Sequence, residues 1–259
     1  MTTTITYDGI SSYEVGGPNG RVVFDPYYDG NPAAVRSADD LDPPDVIVVS
    51  HAALDHMGGA GRLAIRTGAP VVCGTDTAAL LREEGVPDPQ LRTTTWGIRV
   101  RIGDIVVRPV PSAHWSQATT RSGQVISGVP MAFVVEFEPD VRVYHFGDSA
   151  ITAEMSLIGK LHRPTVGLLG CSQPWSLVAA GAGEVVTGEM SPDEAAYAAE
   201  LLGVRYAVAT HYERADDPAV QEFLRAVPRH DATGGRIPLA LDAGQRLVID
   251  GDKYEVQDG

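Results

Sequence analysis

Val46-Ile47-Val48-Val49-Ser50-His51-Ala52-Ala53-Leu54-Asp55-His56-Met57-Gly58-Gly59 is the stretch that decides how this chain is read. Its four β-branched apolar residues predict a buried strand. At the strand mouth stand two imidazoles and a carboxylate, and two glycines then let the backbone turn tightly into a helix. Divalent transition metals favour that mixture of neutral nitrogen and anionic oxygen donors. The plainer alternative is a polar strand-to-helix loop with Asp55 as a helix cap.

Outward from this stretch, strand signals recur at residues 4–7, 21–26, 45–49 and 70–73, with a helix over 75–84 stopped by Gly85. Residues 99–102 and 105–110 flank Gly103-Asp104, a two-residue connection suited to a hairpin. A second hairpin is predicted from residues 131–137 and 141–146, then a helix-like stretch through Ile158 and a strand over 166–169. Ser191-Pro192-Asp193-Glu194 reads as a capping box with proline at the first helical position, and Gly203 ends that helix. The strand at 206–209 then delivers His211. Adjacent hairpins demand antiparallel pairing, which a purely parallel doubly wound sheet does not offer. The expected architecture is two mixed β-sheets packed face to face with helices outside, an α/β fold, with residues 1–259 as a single domain.

The chain has 259 residues, 44% of them hydrophobic, enough for a substantial core. Lys and Arg total 20 against 34 Asp and Glu, a formal charge of -14. That balance argues against nonspecific nucleic-acid binding and against adhesion to anionic lipid. Its plainest role is solubility. The two cysteines, Cys73 and Cys171, lie in apolar, strand-like surroundings and read as buried thiols. Neither a signal peptide nor a membrane-spanning run is visible, so a cytoplasmic protein acting on a small molecule is expected. The sequence carries no mark of oligomeric state.

Further polar residues stand where an apolar strand runs out: His114 after 107–113, Asp148 after 143–147, His211 after 206–210. Strand ends on one side of a layered fold are where sites are assembled. Together with the opening cluster they resemble the metallo-β-lactamase fold superfamily, and within it the ascorbate-6-phosphate lactonase-like branch of hydrolases. Phe24-Asp25-Pro26 resembles the early strand-end Asp-Pro of that branch. His51-x-x-x-Asp55-His56 resembles the signature, His114 the third histidine, and Gly147-Asp148-Ser149 the bridging aspartate. Met190-Ser191-Pro192, Glu194-Ala195 and Thr210-His211-Tyr212 resemble the closing helix and final histidine. The resemblance implies an αβ/βα sandwich of four layers with metal at one edge of the two sheets.

One departure matters. The family pattern reads His-x-His-x-Asp-His, and the second histidine is here Ala53, whose methyl group offers no donor. Carried over by position, the resemblance implies a complete site at Asp55, His56, Asp148 and His211. It also implies a depleted one at His51 and His114 with Asp148 shared. One tight divalent ion is therefore expected, zinc first, with manganese or iron as alternatives. Asp55, His51 and His114 are the candidate catalytic residues, the two histidines being free to act as general base or oxyanion donor.

The chemistry so implied is metal-assisted hydrolysis of a cyclic ester or amide. Phosphodiester hydrolysis on the same fold and a catalytically silent binding protein stand as alternatives. Tyr27, Tyr28, Trp115, Gln117, Cys171, Gln173, Trp175 and Tyr212 are candidates for shaping the pocket, Trp115 and Trp175 equally for covering the core. Ser50 and Ser112 are candidates for orienting ligands. His145 is read as a core or ligand-supporting residue, His162 and His230 as surface residues, and Arg121 and Arg214 as solvated cations.

Overall fold

The chain opens with an antiparallel meander, β1 (Thr2–Gly9), β2 (Ser12–Gly17) and β3 (Gly20–Phe24). It then adds parallel strands β4 (Val46–Val48), β5 (Val71–Cys73) and β6 (Leu91–Thr93), with α1 (Leu54–Met57), α2 (Ala60–Thr67) and α3 (Thr75–Glu84) in the connections. The second half supplies β7 (Val100–Ile102), β8 (Ile105–Pro111), β9 (Ser116–Thr119), β10 (Val125–Gly128), β11 (Met131–Glu136) and β12 (Arg142–His145). After α4 (Glu154–His162) come β13 (Val166–Gly170), the helix Pro192–Leu202, β14 (Tyr206–Thr210) and the helix Pro218–His230. The chain closes with β15 (Ile237–Leu239), β16 (Arg246–Asp250) and β17 (Lys253–Gln257). These come from a computed structural model that describes residues 2–137, 140–174 and 189–259.

Two mixed sheets result, in the orders β17-β16-β1-β2-β3-β4-β5-β6 and β15-β14-β13-β12-β11-β8-β7. β9 and β10 form a separate hairpin. Strand alternation shows how the layers are sorted. Val22, Phe24, Val46, Val48 and Val72 point into the core shared with the second sheet, among them Phe133, Val135 and Leu168. Their neighbours Val23, Ile47, Val49, Val71 and Cys73 point the other way, onto Ala60, Leu63, Ala64, Ala78 and Leu81 of α2 and α3. The helices Pro192–Leu202 and Pro218–His230 cover the second sheet through Ala195, Ala199, Leu202, Phe223 and Val227. Each of the larger side chains so buried contributes about 1.5–3 kcal/mol. The α/β sandwich with helices outside is the expected one.

Both predicted hairpins are present, with Ile102 opposite Ile105 and Phe133 opposite His145. The Ser191–Glu194 capping box is complete, and Gly203 closes its helix. The strand expected over 21–26 ends at Phe24, because Asp25 turns to a φ of 41°. Cys73 and Cys171 are buried free thiols. No helix among the described residues is long and apolar enough to cross a membrane.

The turn between β1 and β2 joins the two sheets at the site end. Ile10, at a φ of 56°, accepts hydrogen bonds from the His211 amide and from Thr210 Oγ1, each at 2.9 Å. Its own amide donates to the Tyr212 carbonyl at 3.2 Å.

Candidate metal centre

The polar residues singled out in the sequence emerge from strand ends at one edge of the sandwich. β3 leads to Asp25, β4 to Ser50 and His51, β8 to Ser112 and His114, β12 to Asp148, and β14 to His211. α1 supplies Asp55 and His56. Its N-cap is Ala53, so Asp55 lies inside the helix and is not a cap. Gly147 makes the Asp148 loop feasible: at its φ of 56° a Cβ would stand 2.3 Å from the Met131 carbonyl oxygen and 2.7 Å from Ser50 Cβ. Asp25, Asp148 and His211 all adopt positive φ, a strained conformation for non-glycine residues that clusters at functional sites.

Donor atoms of Asp55, His56, Asp148 and His211 all lie within 4.8 Å of one another, and those of His51, His114 and Asp148 do the same. His56 Nε2 is 3.0 Å from Asp148 Oδ2 and 3.5 Å from Asp55 Oδ2. His211 Nε2 is 3.5 Å from Asp55 Oδ2 and 3.6 Å from Asp148 Oδ2. A tetrahedron with bonds of 2.0–2.1 Å has edges of about 3.3–3.4 Å, so this spacing suits one ion. His211 Nε2 and Asp148 Oδ1 are buried without a hydrogen-bond partner. Buried polar atoms seldom go unpaired, and two doing so in one cluster fit a missing cation.

The surrounding groups fix which imidazole nitrogen faces inward. Asp25 Oδ2 accepts from His56 Nδ1 at 2.8 Å and from Ser50 Oγ at 2.7 Å, while Oδ1 accepts the Ser50 amide at 2.7 Å. A carboxylate only accepts, so it claims the Ser50 hydroxyl proton. Ser50 Oγ is then left to accept from His51 Nδ1 at 2.9 Å. His211 Nδ1 is 2.9 Å from Glu189 Oε2 and 3.2 Å from the Ser172 carbonyl oxygen. In all three rings Nδ1 is the donor and Nε2 is kept for the cluster, the usual support for a metal-binding histidine.

The electrostatics demand positive charge. Burial alone would lower His56, but Asp148, Asp55 and Asp25 outweigh it and raise it well above the usual range. Burial is likewise overcome at His211, by Asp148 and Glu189. Asp148 is held low, its burial outweighed by His211 and His56. His51 goes the other way: burial, with the His56 charge adding to it, pushes it down to about 3. Burial, with Asp148 behind it, lifts Glu189 to about 7.

Other candidates fall outside the cluster. His145 is a buried support, stacked on Phe24 with ring centroids 5.1 Å apart, its Nε2 3.5 Å from Asp25 Oδ2. His162 and His230 end helices, and His230 Nε2 meets the exposed Asp193 at 3.0 Å. Trp115 does not cover the core: it is 65% exposed, its ring 5.9 Å from that of His114. Tyr28, Cys171 and Tyr212 are buried rather than at the mouth, with the Tyr28 and Tyr212 hydroxyls bound to Asp8 and to the Leu241 carbonyl. Arg214 pairs with Asp216 at the surface. Trp175 lies outside the described residues. Sequence reading missed Glu189, whose only local signal is a carboxylate two residues before the Ser191 cap.

Comparison with known proteins agrees with this architecture. Residues 20–212 match the family described as the beta-lactamase superfamily domain. A UPF0173 metal-dependent hydrolase from Rubrobacter xylanophilus is 35% identical over 81% of this chain and 81% of its own length. Another, from Methanopyrus kandleri, is 31% identical over 97% of this chain and 99% of its own. Among solved structures, Igni18, a metallo hydrolase from Ignicoccus hospitalis, shares the fold with a TM-score of 0.74, covering 96% of this chain and 99% of that one at 24% identity. The metallo-beta-lactamase fold protein YhfI from Bacillus subtilis shares it at a TM-score of 0.65 and 14% identity, over 95% of this chain and 99% of that one. With its family match spanning most of the sequence and these relatives aligned along most of their own length, the chain belongs to the beta-lactamase superfamily and, within it, to the UPF0173 metal-dependent hydrolases.

Proposed function

We propose that Asp55, His56, Asp148 and His211 hold the catalytic divalent cation of this hydrolase, and that its substrate is a small cyclic ester or amide. The observation that carries the reading is the convergence of four donors within 4.8 Å of one another, with His211 Nε2 and Asp148 Oδ1 otherwise unpaired in the interior. A weaker position at His51, His114 and Asp148 lacks the imidazole that Ala53 removes. Zinc suits the mixed nitrogen and oxygen set, with manganese or iron as alternatives. When bound, such a cation supplies ionised water near neutral pH and polarises the scissile group.

The chain's own residues account for the remaining steps. Asp25 and Glu189 orient His56 and His211, and Ser50 orients His51. His51 stays neutral near pH 7, which leaves its Nε2 lone pair open to a cation rather than to a proton, while His114, half-buried beside the exposed Trp115, lies nearer the solvent. Exposed apolar side chains next to two of these residues, Trp115 at 65% beside His114 and Leu54 at 70% beside Asp55, favour a substrate with an apolar body.

Elemental analysis after dialysis, paired with a panel of lactones and a chromogenic phosphodiester, tests the reading. One retained metal per chain and turnover of lactones are expected. Two tightly retained ions would falsify the single-site version, and turnover of the phosphodiester alone would replace the substrate class.

A further inference from the structure

Asp76 is a buried carboxylate outside the ligand set. It sits in the first turn of α3, 5% exposed, and its Oδ2 accepts a hydrogen bond from Ser116 Oγ. Ser116, 1% exposed at the start of β9, in turn accepts the Ala52 amide at 2.9 Å. A carboxylate accepts only, so it takes the one hydroxyl proton and turns the Ser116 lone pairs toward the Ala52 N–H. The direction of this chain is therefore fixed.

Two of the three members of the chain lie next to the depleted half of the centre. Ala52 directly follows His51, and Ser116 is two residues beyond His114, with the two imidazole rings 5.1 Å apart. The same 112–116 segment is held from its other side: Ser112 Oγ donates to the Asp148 carbonyl at 2.5 Å, and the Ala113 amide donates to Ser149 Oγ at 2.9 Å. Room for the carboxylate is made by β10, where a Cβ on Gly128 would stand 2.1 Å from Asp76 Cγ. Asp76 Oδ1 is buried without a hydrogen-bond partner. A carboxylate so placed carries a desolvation cost that an apolar residue in the same turn avoids.

We propose that Asp76 and Ser116 are positioning residues that preset His51 and His114 as a second, weaker cation position; this rests on the metal-centre reading above. Three donors bind a cation well only when their spacing is ordered beforehand, because the ion then has no loop entropy to overcome. With a methyl group at position 53, that order comes from the Asp76–Ser116–Ala52 chain.

Cobalt(II) titration of the metal-free full chain, followed by calorimetry and visible absorption, tests this together with amide hydrogen exchange at Ala52. Wild type is expected to bind a tight first equivalent and a weaker second, with the Ala52 amide protected. In Ser116→Ala the second equivalent weakens roughly tenfold to a hundredfold, the first is unchanged, and Ala52 exchanges faster. The near-isosteric Asp76→Asn shifts the same two readouts in the same direction. An unchanged second step, an equal loss at both steps, or no second step in wild type up to millimolar cobalt overturns the proposal. Failure of wild type to bind even the first equivalent defeats the metal-centre reading itself.

Discussion

Asp25 and His56, 31 positions apart in the chain, meet through a 2.8 Å hydrogen bond between a carboxylate oxygen and Nδ1, both wholly inside the protein. The bond sets which edge of the imidazole faces Asp55 and Asp148. Asp25→Asn keeps the shape but can offer an N–H where the ring needs an acceptor. Affinity for the first metal equivalent is expected to fall 10–100-fold, read by competition with a chromophoric chelator.

Position 53 is expected to set the stoichiometry. Ala53→His supplies the imidazole that the motif lacks, and metal retained after dialysis should rise from one towards two ions per chain. Asp148→Asn weakens a donor that both groups share, so it is expected to lower both equivalents together. Elemental analysis of the two variants beside wild type distinguishes these outcomes.

The metal-free protein should be acid-sensitive through His51. Its folded pKa lies near 3, below the ordinary 6.5, so the unfolded chain binds more protons between those values. Stability from this residue is therefore full above about pH 6.5 and declines as pH falls. By pH 4.5 the loss is on the order of 3 kcal/mol. His51→Gln removes that slope, which urea unfolding at pH 7 and pH 4.5 measures as a smaller difference between the two midpoints.

Arg36 is the stability test outside the site. Its guanidinium grips Asp8 at 2.6 and 2.8 Å and Glu14 at 2.7 Å, and the Asp8 side chain is fully buried. Arg36→Met leaves that carboxylate inside without its counter-charge and should cost about 3–5 kcal/mol. Asp8→Asn with Arg36→Met should recover part of it, a coupling that denaturant melts report.

Trp115 offers a kinetic readout. Its exposed indole beside His114 is expected to hold the apolar body of the substrate. Trp115→Ala should raise KM several-fold with little change in kcat, the signature of binding shared equally by ground and transition states.

Much of this was legible in the sequence, and the reasons differ by element. β3, β4 and β5 were readable because they pack on both faces, leaving apolar runs that no loop would carry. The β9–β10 hairpin and β17 were not, since their residues are largely exposed and no apolar run marks them. The residues grouped here were named because histidine and aspartate stand out where a strand ends. Glu189, Asp76 and Ser116 did not stand out, because what distinguishes them is a partner distant in sequence: His211, Ser116 and Ala52. Trp115 was ambiguous because an indole suits a core and a rim equally well.

The backbone staple between Ile10 and His211 has a consequence for biosynthesis. The first hairpin leaves the ribosome early, yet the backbone groups of Ile10 meet their β14 partners only once residues 210–212 have emerged. On the proposed ligand set, a cation is expected to be captured late in translation, after nearly the whole polypeptide is out, so a truncated product would carry the histidine-rich opening motif without Asp148 and His211 to close around an ion.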